Sequence, residues 1–194
     1  LLIADRPPVL EVPPSIEVDV DAPGAPFEFG TRLADAIRER DAAAVVYLGG
    51  GSAPLLAGAD FEALAAALDT PDPRGVSNNF YSADLFGVRP AAALGQLTPR
   101  PTKDNGVPRR LRDECGIEFV ELPRSLATQT NLDTPVDLAA LALSGRGGPR
   151  LRRALADVPV LPRLGEAARL FTDRHAEVLV AGRVSSRAWQ YLER

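Results

Sequence analysis

Alternating strand and helix signals along this chain predict an α/β fold, a mainly parallel sheet with helices on both faces. Three observations predict it. The run Ala44-Val45-Val46-Tyr47-Leu48 is continuously apolar and empties into three glycines, as a strand buried on both faces does. Helical signals surround it, from Thr31 to about Arg40 with Leu33, Ala36 and Ile37 on one face, and from Asp60 with Phe61, Leu64 and Leu68 on one face. No repeat with a period of about 20 to 50 residues interrupts the alternation.

In chain order, Leu1 to Ala4 reads as a short strand, and the pairs Pro7-Pro8 and Pro13-Pro14 read as an extended connector, because proline suits neither a helix interior nor a central strand. Ile16, Val18 and Val20 alternate with Glu17 and Asp19, the period of a half-exposed strand. Thr31 is placed to cap the first helix and Asp60 to open the second. Asp69 to Pro108 is rich in turn formers, with one strand expected around Phe80 to Phe86. Arg109 to Cys115 suits a helix closed by a left-handed Gly116, and Ile117 to Leu122 suits a strand. Thr134-Pro135-Val136-Asp137 is a helix start, with Thr134 as cap, proline at the first helical position and Asp137 reaching back. That helix should run through Leu143. Two more are expected near Pro149 to Ala156 and Leu164 to His175, then a strand over Glu177 to Ala181. A last helix, capped by Ser185 or Ser186, would carry Trp189 and Leu192. The expected organisation is an α/β domain over residues 1–148 and a C-terminal helical extension, 149–194, packed on it.

Bulk properties narrow the function classes. The chain has 194 residues, 45% hydrophobic and 25% charged, the composition of a globular protein. A net charge of −4 speaks against general nucleic-acid binding, which is driven by phosphate neutralisation. No apolar stretch approaches the ~18 residues of a membrane helix, and the first residues do not read as a secretory signal. The single cysteine, Cys115, forms no internal disulfide and suits a reducing compartment. The expectation is a soluble cytoplasmic protein without nucleic-acid or membrane partners, with homo-oligomerisation left open. Lys103 is the only lysine among 22 basic residues, and methionine is absent, which raises the expectation that residues are missing from the sequence.

Chemistry concentrates in a few segments. A strand ending in Gly49-Gly50-Gly51-Ser52 puts bare backbone at the carboxyl end of a sheet, where open α/β folds bind ligands and successive amides can hold an anion. No Gly-Lys-Ser/Thr follows, so it is no Walker loop, and it does not match G-x-G-x-x-G. A flexible turn accounts for a glycine triplet equally well. Asp133 suits a metal ligand and equally a helix N-terminus, where a carboxylate is favoured by about 0.3–1 kcal/mol. Asn78 and Asn79 suit substrate contact and equally a turn. The arginines at 109, 110 and 112, and at 146, 150, 152 and 153, suit phosphate binding or a solvated helix face.

Read together, Gly51-Ser52-Ala53-Pro54-Leu55-Leu56, Asn78-Asn79-Phe80-Tyr81-Ser82 and Asn131-Leu132-Asp133-Thr134-Pro135-Val136-Asp137-Leu138 resemble three ordered motifs of the MobA-like nucleotidyltransferases, the relatives of molybdenum-cofactor guanylyltransferase and 2-phospho-L-lactate guanylyltransferase. These motifs are, in order, a G-D-x-P-L-L-like strand end, an asparagine-led strand lining the acceptor pocket, and N/D-x-D/N-T-P-x-D-L. The resemblance spans roughly residues 16 to 143. It implies a Rossmann-like fold of the nucleotide-diphospho-sugar transferase type. The implied activity moves a nucleoside monophosphate from a nucleoside triphosphate to a phosphorylated small molecule, with Mg2+. It further implies that Gly49, Gly50, Gly51 and Ser52 bind the nucleotide, that Asn78 and Asn79 contact the acceptor, and that Asp133 is the catalytic metal ligand. Two positions depart from the family. Ser52 stands where the family has an aspartate, and residues 1–15 do not match its L-A-A-G-x-G-x-R-like opening loop. Those departures carry the alternative, a catalytically degenerate relative acting as a nucleotide- or partner-binding module.

Overall fold

The computed structural model describes residues 1–9, 11–159, 162–182, 189, 190 and 192. The chain divides into two compact units, Leu1–Thr130 and Asn131–Arg194, a boundary earlier in the chain than the expected one at residue 148.

The first unit is mixed α/β. Strands β1 (Leu2–Ala4) and β2 (Val18–Val20) pair in parallel as a sheet of two. Helix α1 (Phe29–Glu39) follows, then β3 (Val45–Leu48), α2 (Gly58–Leu68), β4 (Arg74–Ser77) and β5 (Leu85–Arg89). After a 3-10 turn over Ala91–Gln96 come α3 (Val107–Cys115), β6 (Glu118–Glu121) and the single turn α4 (Leu126–Gln129). The second sheet has the order β3-β5-β4-β6, with β5 antiparallel to both its neighbours and β4 parallel to β6. Hence β3, β4 and β6 point one way and β5 opposes them.

This mixed sheet corrects the expected mainly parallel one. The single strand expected around Phe80 to Phe86 is the connection between β4 and β5 together with the first residues of β5. A short link can join antiparallel neighbours but not parallel ones, so misplacing the strand concealed the reversal. The turn is held locally: Asn79 Oδ1 accepts from Tyr81 N at 3.1 Å and Asn79 O from Ser82 N at 3.3 Å.

Helices do cover both faces of the four-stranded sheet. On one, Phe29, Leu33 and Ile37 of α1 and Val107 and Leu111 of α3 pack with Phe86 and Val88 of β5. On the other, Leu64 and Leu68 of α2 pack with Val76 and Leu85. Side chains alternate across a strand, which is why neighbours Leu85 and Phe86 enter different clusters. Burying each such side chain contributes roughly 1.5–3 kcal/mol. Strand β3 feeds both clusters, yet stays half-buried because it is an edge strand, with β5 as its one partner.

Local signals place the helix ends. Helix α1 puts Phe29, Leu33, Ala36 and Ile37 on its buried face, but Thr31 lies inside it and donates to Glu28 rather than capping. Arg32 of α1 bridges to Asp19 at 2.7 Å and Asp21 at 2.8 Å, tying the helix to β2. This pairing turns Asp19 inward and leaves Val18 and Val20 the more exposed residues of β2. Asp60 sits in the first turn of α2 and accepts from Ala57 N at 2.7 Å, while Phe61 is exposed, unlike Leu64 and Leu68. Gly116 closes α3 at φ 69°, as its position predicts.

The second unit holds α5 (Pro135–Ser144), α6 (Pro149–Leu155) and α7 (Pro162–Leu170). Thr134 caps α5 in a reciprocal box with Asp137, and Gly145 ends it at φ 63°. Helix α7 stops at Leu170, short of His175, and Glu177 to Ala181 form no strand, with Leu179 94% exposed. An apolar run becomes a strand only beside a partner edge, and among the described residues none pairs with it. Ser185 and Ser186 lie outside the described residues. Among the described residues, no helix is long and apolar enough to cross a membrane.

Candidate functional site

Because β3 and β4 point the same way, their carboxyl ends reach the same edge of the sheet. Leu48 is opposite Leu85, and Ser77 is opposite Phe86. The chain leaves β3 into Gly49 and leaves β4 into Asn78, and both are tied to the start of β5. Gly49 N donates to Asp84 O at 2.9 Å, and Asn78 N donates to Leu85 O at 3.1 Å. The topology therefore brings the glycine loop and the asparagine pair to one end of one sheet.

The glycine loop is a tight turn, closed by Ser52 N donating to Gly49 O at 2.9 Å. Gly50 is exposed at its tip, and a β-carbon there would meet nothing within 4 Å. A β-carbon on Gly49 would stand 2.8 Å from Ser52 Oγ, so a side chain there would make the serine hydroxyl turn aside. Ala53, which follows, is buried at φ 48° and donates to Thr130 O at 2.9 Å. A left-handed alanine costs about 1–2 kcal/mol, so the loop is held against strain.

Three groups around this loop have no functional role in a reading of the sequence, in which Lys103-Asp104-Asn105 stands out for its lysine and reads as a solvated loop. Tyr47, the penultimate residue of β3, packs edge-on against Phe29 and tilted against Phe86, with ring centroids 5.2 and 5.1 Å away. Its hydroxyl donates to Asp104 Oδ2 at 3.0 Å. Burial, then the Asp104 carboxylate and the more distant Asp84, hold its phenol far above its ordinary range, so it stays a donor at any physiological pH. Asp104 Oδ2 in turn stands 3.6 Å from where a Gly49 β-carbon would be. Asn105 fixes the Asp104 loop: its carbonyl accepts from Ala83 N at 3.1 Å and its amide donates to Ser82 Oγ at 2.9 Å. The local signal was the Lys103-Asp104-Asn105-Gly106 turn; its contact with a tyrosine 57 residues earlier is tertiary.

The loop forms one end of a cavity of about 680 Å³. Leu2 and Ile3 of β1, the apolar face of α1 with Arg32 and Arg40 beside it, and Val45 to Leu48 line it together with Gly49, Gly50 and Ser52. The volume is that of a small-molecule site, and its lining is mostly apolar with a few polar and charged groups.

The remaining residues singled out by sequence have internal partners. Asn78 is 7% exposed; its amide donates to Thr128 O at 3.1 Å, and its Oδ1 accepts from Leu85 N at 3.2 Å. Its carbonyl accepts from Gln129 Nε2 at 2.9 Å, so Asn78 clamps the β4 end to α4. Asn79 shapes its own turn. Asp133, in the second unit, accepts from Asn131 Nδ2 at 3.0 Å, and its amide donates to Asp137 Oδ2 at 3.2 Å. Among the described residues no three His, Cys, Asp or Glu side chains cluster as a ready metal cage. No protein-family model and no curated protein matches the chain.

Proposed function

We propose that this is a nucleotide-binding protein of the Rossmann-like, nucleotide-diphospho-sugar transferase type. The proposed activity moves a nucleoside monophosphate from a nucleoside triphosphate to a phosphorylated small molecule. The observation that carries this reading is the glycine turn at the carboxyl end of β3, exposed at Gly50 and lining a cavity of substrate size. Bare backbone at Gly50 lets phosphate oxygens approach the amides, and the cavity has room for the nucleoside. In the step itself an acceptor phosphate oxygen bonds to the α-phosphorus as the α–β bridging bond breaks and pyrophosphate leaves. The chain's part is to align the two phosphates, which can supply much of the rate.

The donor chemistry at the loop suits Mg2+: the Asp104 carboxylate, the Ser52 hydroxyl and the Gly49 carbonyl are hard oxygens. One or two carboxylates completed by water and phosphate are the usual protein share of such a site. The cation would neutralise the triphosphate and the departing charge. As the resemblance to the MobA-like family implies, Asp133 is proposed as a metal ligand.

A thermal-shift panel of the common nucleoside triphosphates, each with magnesium or with EDTA, tests the reading. A ligand bound only to the folded state at a hundred times its dissociation constant adds about 2.7 kcal/mol of stability. A magnesium-dependent rise with one nucleotide, reduced by Asp133→Ala, is expected; no rise with any nucleotide refutes it. The degenerate-relative reading is favoured by neutral Ser52 in the aspartate position. It is separated by pyrophosphate release, which it requires to be absent with every donor.

A further inference from the structure

The Asp104 carboxylate lies against the very turn that would receive a phosphate, and the same Oδ2 that stands 3.6 Å from the Gly49 β-carbon position accepts a hydrogen bond from Tyr47. Gly49 N and Ser52 N are already bonded, to Asp84 O and Gly49 O, so an anion on this loop would approach the Gly50 and Gly51 amides, and there it meets that negative charge at close range. Like charges brought together repel strongly unless a cation stands between them. Among the described residues Asp104 forms no salt bridge that would cancel its charge, and neighbouring Lys103 is exposed. The Tyr47 ring packs against Phe29 and Phe86, which holds its hydroxyl in place to bond the carboxylate.

Resting on the proposed anion site, we infer that Asp104 is the residue that makes this loop accept phosphate only together with a divalent cation, and that Tyr47 positions it. Asp104 thus supplies, from a different loop, the negative charge that Ser52 does not. Asparagine at 104 keeps an acceptor for Tyr47 and removes only the charge. Phenylalanine at 47 keeps the charge and removes only the tether.

The test measures inorganic pyrophosphate binding to the full chain by calorimetry, with Mn2+ or with EDTA, for the wild type, Asp104→Asn and Tyr47→Phe. The wild type is expected to bind only with Mn2+. Asp104→Asn is expected to bind in EDTA at least about tenfold more tightly than the wild type, and to lose most of the Mn2+ dependence. Tyr47→Phe is expected to keep the Mn2+ dependence with weaker binding, and circular dichroism confirms that each variant is folded. Equal wild-type binding with Mn2+ and EDTA, or an undiminished Mn2+ effect in Asp104→Asn, overturns the inference. If pyrophosphate binds under no condition, the proposed anion site fails, and Mn2+ titration by water-proton relaxation decides the carboxylate alone. Mn2+ binding lost in Asp104→Asn keeps it as a cation ligand; equal or absent binding in both proteins removes it.

Discussion

Alanine at Gly50 separates a glycine kept for the fold from one kept for a ligand. A β-carbon at Gly50 meets no atom within 4 Å, and its backbone is outside the left-handed region. The substitution therefore leaves the folded state unstrained and removes freedom from the unfolded chain, a change between zero and a gain of about 1 kcal/mol. Binding should respond differently. A methyl on the exposed side of the turn holds a phosphate off the loop and costs one charge-assisted hydrogen bond, about 1.5–3 kcal/mol. At about 1.4 kcal/mol per decade, the triphosphate dissociation constant rises roughly tenfold to a hundredfold. Calorimetric titration alongside thermal melts of the same samples reads both quantities. Gly49→Ala is the companion: its methyl would stand 2.8 Å from Ser52 Oγ and displace that hydroxyl at the mouth of the loop, so it should lower the affinity with little change in melting temperature. Unchanged triphosphate affinity in Gly50→Ala would refute the placement of phosphate on this loop.

Two further outcomes test the account of the fold. A β-carbon at Gly75 of β4 would stand 2.4 Å from the Phe119 ring, so Gly75→Ala should destabilise the first unit by about 1–3 kcal/mol, and Phe119→Ala in the same chain should relieve part of that loss; urea titration measures both. Asp137 has its carboxyl held below the ordinary 3.8 by hydrogen bonds from the Thr134 hydroxyl and amide. Its stabilisation of α5 is complete above that ordinary value and is lost as pH falls through the lower folded-state value. Amide exchange in α5 should thus differ between wild type and Asp137→Asn at neutral pH and converge in acid; a difference that persists in acid contradicts the cap.

How much of this was legible in the sequence follows the range of the interactions involved. The Thr134–Asp137 box, Gly145 and Gly116 are decided within four residues, so the ends of α3 and α5 could be read directly. The buried faces of α1 and α2 followed from spacing, except at Phe61. What failed depended on partners. The run from Val45 to Leu48 reads the same for a central strand as for an edge strand feeding two clusters. Aromatic Phe80-Tyr81 looked like a strand, and Arg74-Gly75-Val76-Ser77 did not, yet the latter lies between β5 and β6. Glu177 to Ala181 had strand composition and no neighbour. At the site, the glycine loop was visible because glycine is conspicuous. Asn78 was visible too, but its contacts with Thr128 and Gln129 are tertiary. Asp104 carried no local mark beyond a turn next to the sole lysine.

The measurement that tests the central claim most directly is amide hydrogen exchange across the chain, with and without the nucleoside triphosphate that gives the largest magnesium-dependent shift. Slowed exchange centred on residues 49–53, with Tyr47 and Asp104 in the neighbouring protected segments, is the expected result. Protection confined to other segments, with the loop exchanging as freely as in the unliganded protein, would contradict it.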